Sequence, residues 1–190
     1  LVIALQRLGL AYRQASNGPD AVTTYDGAIS VARILVEARP DWAVAANVLA
    51  SSLKVRSSLA ADVDDMAAAR TFSEESVQHM RAVCAMRPDD DGPISELSIA
   101  LGQVADVAEP AVARAAASEA LTLARKAFAI DPTRNDYADR VSLALFAVTA
   151  LMNDESDKEQ CMAYLREAVA IQRERLAADQ ANTAIIRRLA

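Results

Sequence analysis

Three prolines, Pro40, Pro88 and Pro132, each close an apolar stretch and stand 48 and 44 residues apart. A repeat of that length constrains the fold more than any local pattern. A further step of 48 lands on Gln180, so four segments can be stacked on these anchors. Twelve residues before each anchor stand Ala28, Ser76, Ala120 and Ala168; eleven before stand Ile29, Val77, Leu121 and Val169; four before stand Val36, Cys84, Phe128 and Leu176. Nine residues after the anchors come Leu49, Leu97, Val141 and Leu189, ten after come Ala50, Ser98, Ser142 and Ala190, and thirteen after come Leu53, Leu101 and Leu145. A small residue beside a large aliphatic one lets a neighbouring helix approach closely while the aliphatic side chain fills the groove. The columns therefore predict stacked pairs of helices.

Composition agrees with that reading. The chain is 53% hydrophobic but only 4% aromatic, and 42 alanines fill most of the gap. With five glycines and six prolines among 190 residues, intrinsic propensity favours helix and excludes an all-β fold. Turn and cap signals fall at Asn17-Gly18-Pro19-Asp20, Asp62 to Asp65, Glu109-Pro110 and Asn153-Asp154-Glu155-Ser156, each between two apolar-periodic stretches. Helices are predicted over about 1–16, 20–38, 41–60, 65–86, 93–107, 110–130, 134–152, 156–178 and from 182 onward.

The pattern resembles the tetratricopeptide repeat (TPR). In that family a Leu followed by a small residue marks the first helix, and a small residue twelve positions before a Pro marks the second. The clearest copy runs from Ala120-Leu121 to Asp131-Pro132, and a second is Leu165-Arg166-Glu167-Ala168-Val169-Ala170-Ile171. The familiar repeat is about 34 residues, and the excess here lies at the hairpin tips. From the small residue of the first helix to that of the second the distances are 26, 22 and 26 residues. Long bacterial-type repeats of this kind are implied. The expected fold is all-α: a right-handed α-α superhelix of TPR-like antiparallel helix pairs, about four pairs plus the start of a fifth. The repeats fall at about 1–40, 41–88, 89–132 and 133–180, with 181–190 starting the next helix, in one domain over 1–190. In the first repeat, Leu8-Gly9 with Tyr12 suits the family pattern, while a 48-residue step puts the small position at Val2. The opening Leu1-Val2-Ile3 reads as mid-helix and the closing Ile185 to Ala190 as half of a repeat, so the chain is expected to be a piece of a larger protein.

Several function classes are disfavoured. The longest nearly apolar run, Leu143 to Met152, is far short of the roughly 20 residues a membrane span needs. Twenty basic against 26 acidic residues leave a net charge of −6, which argues against nucleic-acid or anionic-membrane partners. Two cysteines, Cys84 and Cys161, have no partner motif, so a reducing, cytoplasmic setting is expected. His79 is the only histidine and has no cysteine placed to share a metal or a proton with it. Asp62, Asp64, Asp65, Asp89, Asp90 and Asp91 sit where carboxylates cap helix amides. No phosphate-cradling glycine loop or nucleophile elbow occurs. The reading is therefore non-enzymatic, with no catalytic residues, cofactor or metal.

One charged column is regular. Arg33, Arg81, Arg125 and Arg173 lie seven residues before their anchors. They form either a basic ladder for an acidic partner or stems that cover apolar surface with their heads in water, and the second reading is favoured. The resemblance places the inner groove on first-helix positions: Asn47, Ser51 and Lys54, then Ser95, Ile99 and Gln103, then Asp136, Asp139 and Phe146. Family members that grip a C-terminal carboxylate use a Lys, Asn and Arg set there, which Asn47 and Lys54 alone do not complete. The expected function is a protein-protein interaction scaffold binding a peptide or helix in the concave groove. The alternative is a regulatory or sensory ligand-binding domain controlling an attached catalytic or signalling domain. Self-association through exposed solenoid ends is left open.

Overall fold

A computed structural model describes residues 1–152 and 157–178. Among these residues the chain forms helices and no strand: α1 (Val2–Gln14), α2 (Gly18–Ala38), α3 (Ala43–Ala61), α4 (Met66–Met86), α5 (Asp91–Val107), α6 (Pro110–Ile130), α7 (Asn135–Ala150) and α8 (Lys158–Ala178). The turn at 153–156, the anchor Gln180, the columns at Leu189 and Ala190 and the helix expected from 182 lie outside the described residues.

Local chemistry sets the helix ends. Asn17 accepts from the Asp20 amide at the start of α2, and Asp65 accepts from the Ala68 amide at the start of α4, each satisfying an orphan N–H of a first turn. Asp90 does the same for the Gly92 amide at 3.0 Å. That cap starts α5 at Asp91, ahead of the expected residue 93, and leaves Pro93 inside the first turn, where its missing N–H costs no intrahelical bond. Trp42 is the N-terminal cap residue of α3, so that helix begins at Ala43 and not at residue 41.

Each helix packs on the next, in the order α1–α2, α2–α3 and so on to α7–α8. Successive first helices also touch, α1 on α3, α3 on α5 and α5 on α7, whereas α2, α4, α6 and α8 make no such approach to one another. The odd helices therefore share the inner side of the stack and the even helices are spread along its outer side. The fold is an all-α, TPR-like solenoid of antiparallel helix pairs.

The small-residue columns mark the crossing point within each pair. Ser76 donates to the Ala50 carbonyl at 2.8 Å between α3 and α4, and Ser98 donates to the Ala120 carbonyl at 2.8 Å between α5 and α6. The serine is contributed by the second helix in one pair and by the first helix in the next. Ala50, Ser76, Ser98, Ala120, Ser142 and Ala168 are all buried. Around them Leu49, Leu53, Leu97, Leu101, Val141 and Leu145 fill a core that runs through the stack. Val36, Cys84, Phe128 and Leu176 are only half-buried, and Val169, on the outermost described pair, is exposed. In the first pair both registers have a role. Val2 packs with Ala28 and Ile29 in one cluster, while Gly9 lies under the Tyr25 ring, 2.7 Å from where a Cβ would sit.

Candidate functional site: the inner helix face

The expected groove residues fall on α3, α5 and α7, but they divide into two patches and are largely bound to one another. On α3, Asn47 is exposed and Ser51 is half-buried. The Ser51 hydroxyl donates to the Val48 carbonyl and accepts from Gln6 Nε2 at 2.8 Å, so it ties α3 back to α1. Lys54 Nζ donates to Glu96 Oε2 on α5 at 2.7 Å. Arg140, on α7, reaches the other oxygen of Glu96 at 3.3 Å and also donates to the buried hydroxyl of Ser95. Glu96 thus joins three first helices. Burial works to raise the Glu96 carboxyl, but Lys54 and Arg140 together outweigh it and hold the group below the usual glutamate range.

Around this junction a cleft of about 270 Å³ opens, lined among others by Asn47, Arg87, Glu96, Arg134, Tyr137 and Arg140. Tyr137 is 1% exposed, and the guanidinium groups of Arg134 and Arg140 lie over its ring at 4.1 and 5.7 Å from the centroid. The cation–π stack holds both arginines in place. Burial pushes the phenol up to about 12, helped by the neighbouring Asp91 carboxylate, which its hydroxyl faces without a hydrogen bond of normal geometry. Asp136 pairs with Arg134 at 2.8 Å, which holds its carboxyl below the usual range.

The second patch lies on the outermost described pair. Phe146 and Leu143 are exposed and line a recess of about 50 Å³ with Val169 and Gln172. Asp139 stands at its rim, accepting from Gln172 Nε2 at 3.2 Å and from the Arg175 guanidinium. Ile99 and Gln103 are half-buried and line neither opening, and Gln103 Oε1 is buried without a hydrogen bond.

Glu96, Arg140 and Tyr137 were not among the expected residues. A signal for two of them was present, because Glu96 and Arg140 both stand eight residues after their anchors and carry opposite charges. Lys54 is committed to Glu96 and Arg140 to Glu96 and Ser95, so the cations of this face are already paired. A face of this kind offers shape, apolar contact and a few open polar groups such as Asn47.

Outside this face, His79 lies 3.8 Å from Glu75 on the same helix. Burial pushes its pKa down, Glu75 works to raise it and Arg33 to lower it. Among the described residues no group of three His, Cys, Asp or Glu could hold a metal ion, both cysteines are free, and no helix is long and apolar enough to cross a membrane.

No family model matches the chain, and no curated protein matches it. Solved structures with a similar fold include TTC0263, a thermophilic TPR protein in Thermus thermophilus, at 15% identity over 100% of this chain and 97% of that one, with a TM-score of 0.47. MamA is 14% identical over 93% of this chain and 81% of that one, with a TM-score of 0.44. At these values nothing about function passes from those proteins to this chain.

Proposed function

We propose that residues 1–190 form one helical-repeat module that acts as a protein-interaction scaffold, holding a peptide or helix of another protein against the inner face of α3, α5 and α7. The observation that supports this most is the row of touching first helices, which makes a continuous face out of three repeats. Along it stand exposed Asn47 on α3, half-buried Ile99 on α5 and exposed Leu143 and Phe146 on α7, a polar end followed by apolar side chains. A partner segment laid across them would bury apolar surface on α5 and α7 and meet a hydrogen-bonding group at its α3 end.

The internal pairing of Lys54, Glu96 and Arg140 bears on what kind of segment fits. A partner that relied on a free carboxylate would have to break one of these bonds, so a neutral, mixed polar and apolar segment is the better match. Placing a photo-reactive amino acid at Asn47 or Ile99, and separately at the exposed outer positions Thr122 and Lys126, tests the assignment in the cells that make the protein. Adducts of one defined mass from the inner positions alone support it. Adducts confined to the outer positions overturn it.

A further inference from the structure

The backbones of the outer helices do not approach one another, and a ladder of ion pairs in strict register joins them through their side chains. Arg33 on α2 makes a two-pronged contact with Glu75 on α4, with a closest approach of 2.7 Å. Arg81 on α4 pairs with Glu119 on α6 at 2.7 Å, and Arg125 on α6 pairs with Glu167 on α8 at 2.5 Å. The arginines are three members of the column seven residues before the anchors, and the glutamates stand thirteen residues before the next anchor in each case. These three do not form a free basic ladder, because their heads are ion-paired within the chain while staying about half exposed to water. Beneath the Arg81–Glu119 rung a cleft of about 310 Å³ runs between α4 and α6, floored by Leu101 and Val104 of α5. Arg81 and Glu119 both line this cleft.

The inner side is linked differently. There the odd helices touch, and the cations that bridge them, Lys54 and Arg140, are more enclosed, 22% and 21% exposed against 47%, 53% and 42% for Arg33, Arg81 and Arg125, while the glutamates of the two sides are similarly exposed. Salt screens exposed pairs far more than enclosed ones, and the screening length falls from about 10 Å at 0.1 M to about 3 Å at 1 M. One exposed pair contributes little by itself, but each rung acts on its own junction and the turns at the three junctions add along the stack.

We infer that this ladder is an electrostatic clasp that sets the curvature of the solenoid, with the touching inner helices as hinge and the rungs holding the outer helices together. When a rung opens by roughly 3 Å to admit a water layer, and the helix axes lie about 8 to 10 Å apart, each junction turns by on the order of 15 to 20 degrees. The stack then curls toward its inner face and the groove narrows. Ionic strength, or a polyanion competing for the arginines, controls the groove width through this device.

Small-angle X-ray scattering of the free chain reads the curvature without any partner. The maximum dimension is expected to fall between 0.05 M and 1 M NaCl. At low salt it should fall in the same sense in the triple variant Glu75→Arg, Glu119→Arg, Glu167→Arg, and return on adding Arg33→Glu, Arg81→Glu and Arg125→Glu. Arg173 has the same register but no acidic partner among the described residues, so Arg173→Ala should scatter as the parent does. If the triple variant loses its helical circular dichroism, the salt series on the unaltered chain decides. Superimposable profiles at the two salt concentrations overturn the inference, as does a charge-swapped chain that scatters like the triple variant.

Discussion

Replacing Ala120 by leucine perturbs the point where α5 and α6 cross. Ala120 is 2% exposed and its carbonyl accepts the Ser98 hydroxyl at 2.8 Å, so three added carbons have no space unless the helices part. Overpacking of a filled core costs about 1–3 kcal/mol, and pushing the Ser98 hydroxyl off its acceptor while it remains buried adds about 1–3 kcal/mol. At about 2–4 °C per kcal/mol for a chain of this size, a central cost of about 4 kcal/mol lowers the melting temperature by about 8–16 °C. Two companions isolate the cause. Ala129→Leu makes the same change at an exposed site of the same helix and should stay within about 0.5 kcal/mol of the parent. Ser98→Ala removes the hydroxyl but leaves the Ala120 carbonyl bonded inside its own helix, so it should cost about 1 kcal/mol or less. The assay is thermal unfolding followed by circular dichroism. If Ala120→Leu melts with Ala129→Leu, the small-residue column is not the crossing point and the packing account is wrong.

Two glycines separate propensity from space. Gly9→Ala should destabilise despite the better helix former, because its Cβ meets the Tyr25 ring at 2.7 Å, whereas Gly102→Ala meets nothing within 4 Å and should raise the melting point by the equivalent of about 0.5–1 kcal/mol. Equal shifts in the two variants would refute the close approach of α1 to α2. The Glu96 carboxyl is held low, so its contribution is present above the ordinary value of about 4.3 and is lost as pH falls through the lower folded value. Urea midpoints from pH 5 down to 3 should accordingly fall less steeply in Glu96→Gln. For Tyr137 the sign is the opposite: with the folded phenol pushed up to about 12, stability is full below about pH 10 and declines as pH rises through the folded value. Tyr137→Phe should remove that alkaline decline, and an unchanged slope between pH 10 and 12 would count against a buried phenol.

The helices were legible because packing repeats. Each pair must put a small residue at its crossing point and an aliphatic one beside it, so Ser76, Ala120 and their column mates recur at fixed distance from the anchors, and the structure buries them where the columns put them. Helix starts shifted by two residues at α3 and α5; at α5 the deciding side chain, Asp90, acts on a single amide and leaves no periodic trace, and at α3 no side chain caps the start. The inner face was legible in position but not in chemistry. Lys54 and Asp136 look like free groove charges in sequence, yet one bonds Glu96 and the other is shared by Arg134 and Arg140. The Lys54–Glu96 bond joins successive repeats, which a reading of one helix at a time does not see, whereas the pairs of Asp136 are local to the start of α7. The outer rungs join residues 38 or 42 positions apart, and their trace was a glutamate column, Glu75, Glu119 and Glu167, as regular as the arginines.

Under the proposed function, another protein is held on the inner face of α3, α5 and α7. Hydrogen-exchange mass spectrometry on the chain, alone and saturated with a partner captured by the photo-crosslinker, tests it directly. Slowed exchange over residues 43–61, 91–107 and 135–150, with α4 and α6 unchanged on their outer sides, is the result the account requires. Protection confined to α4, α6 or the ends of the stack would contradict it.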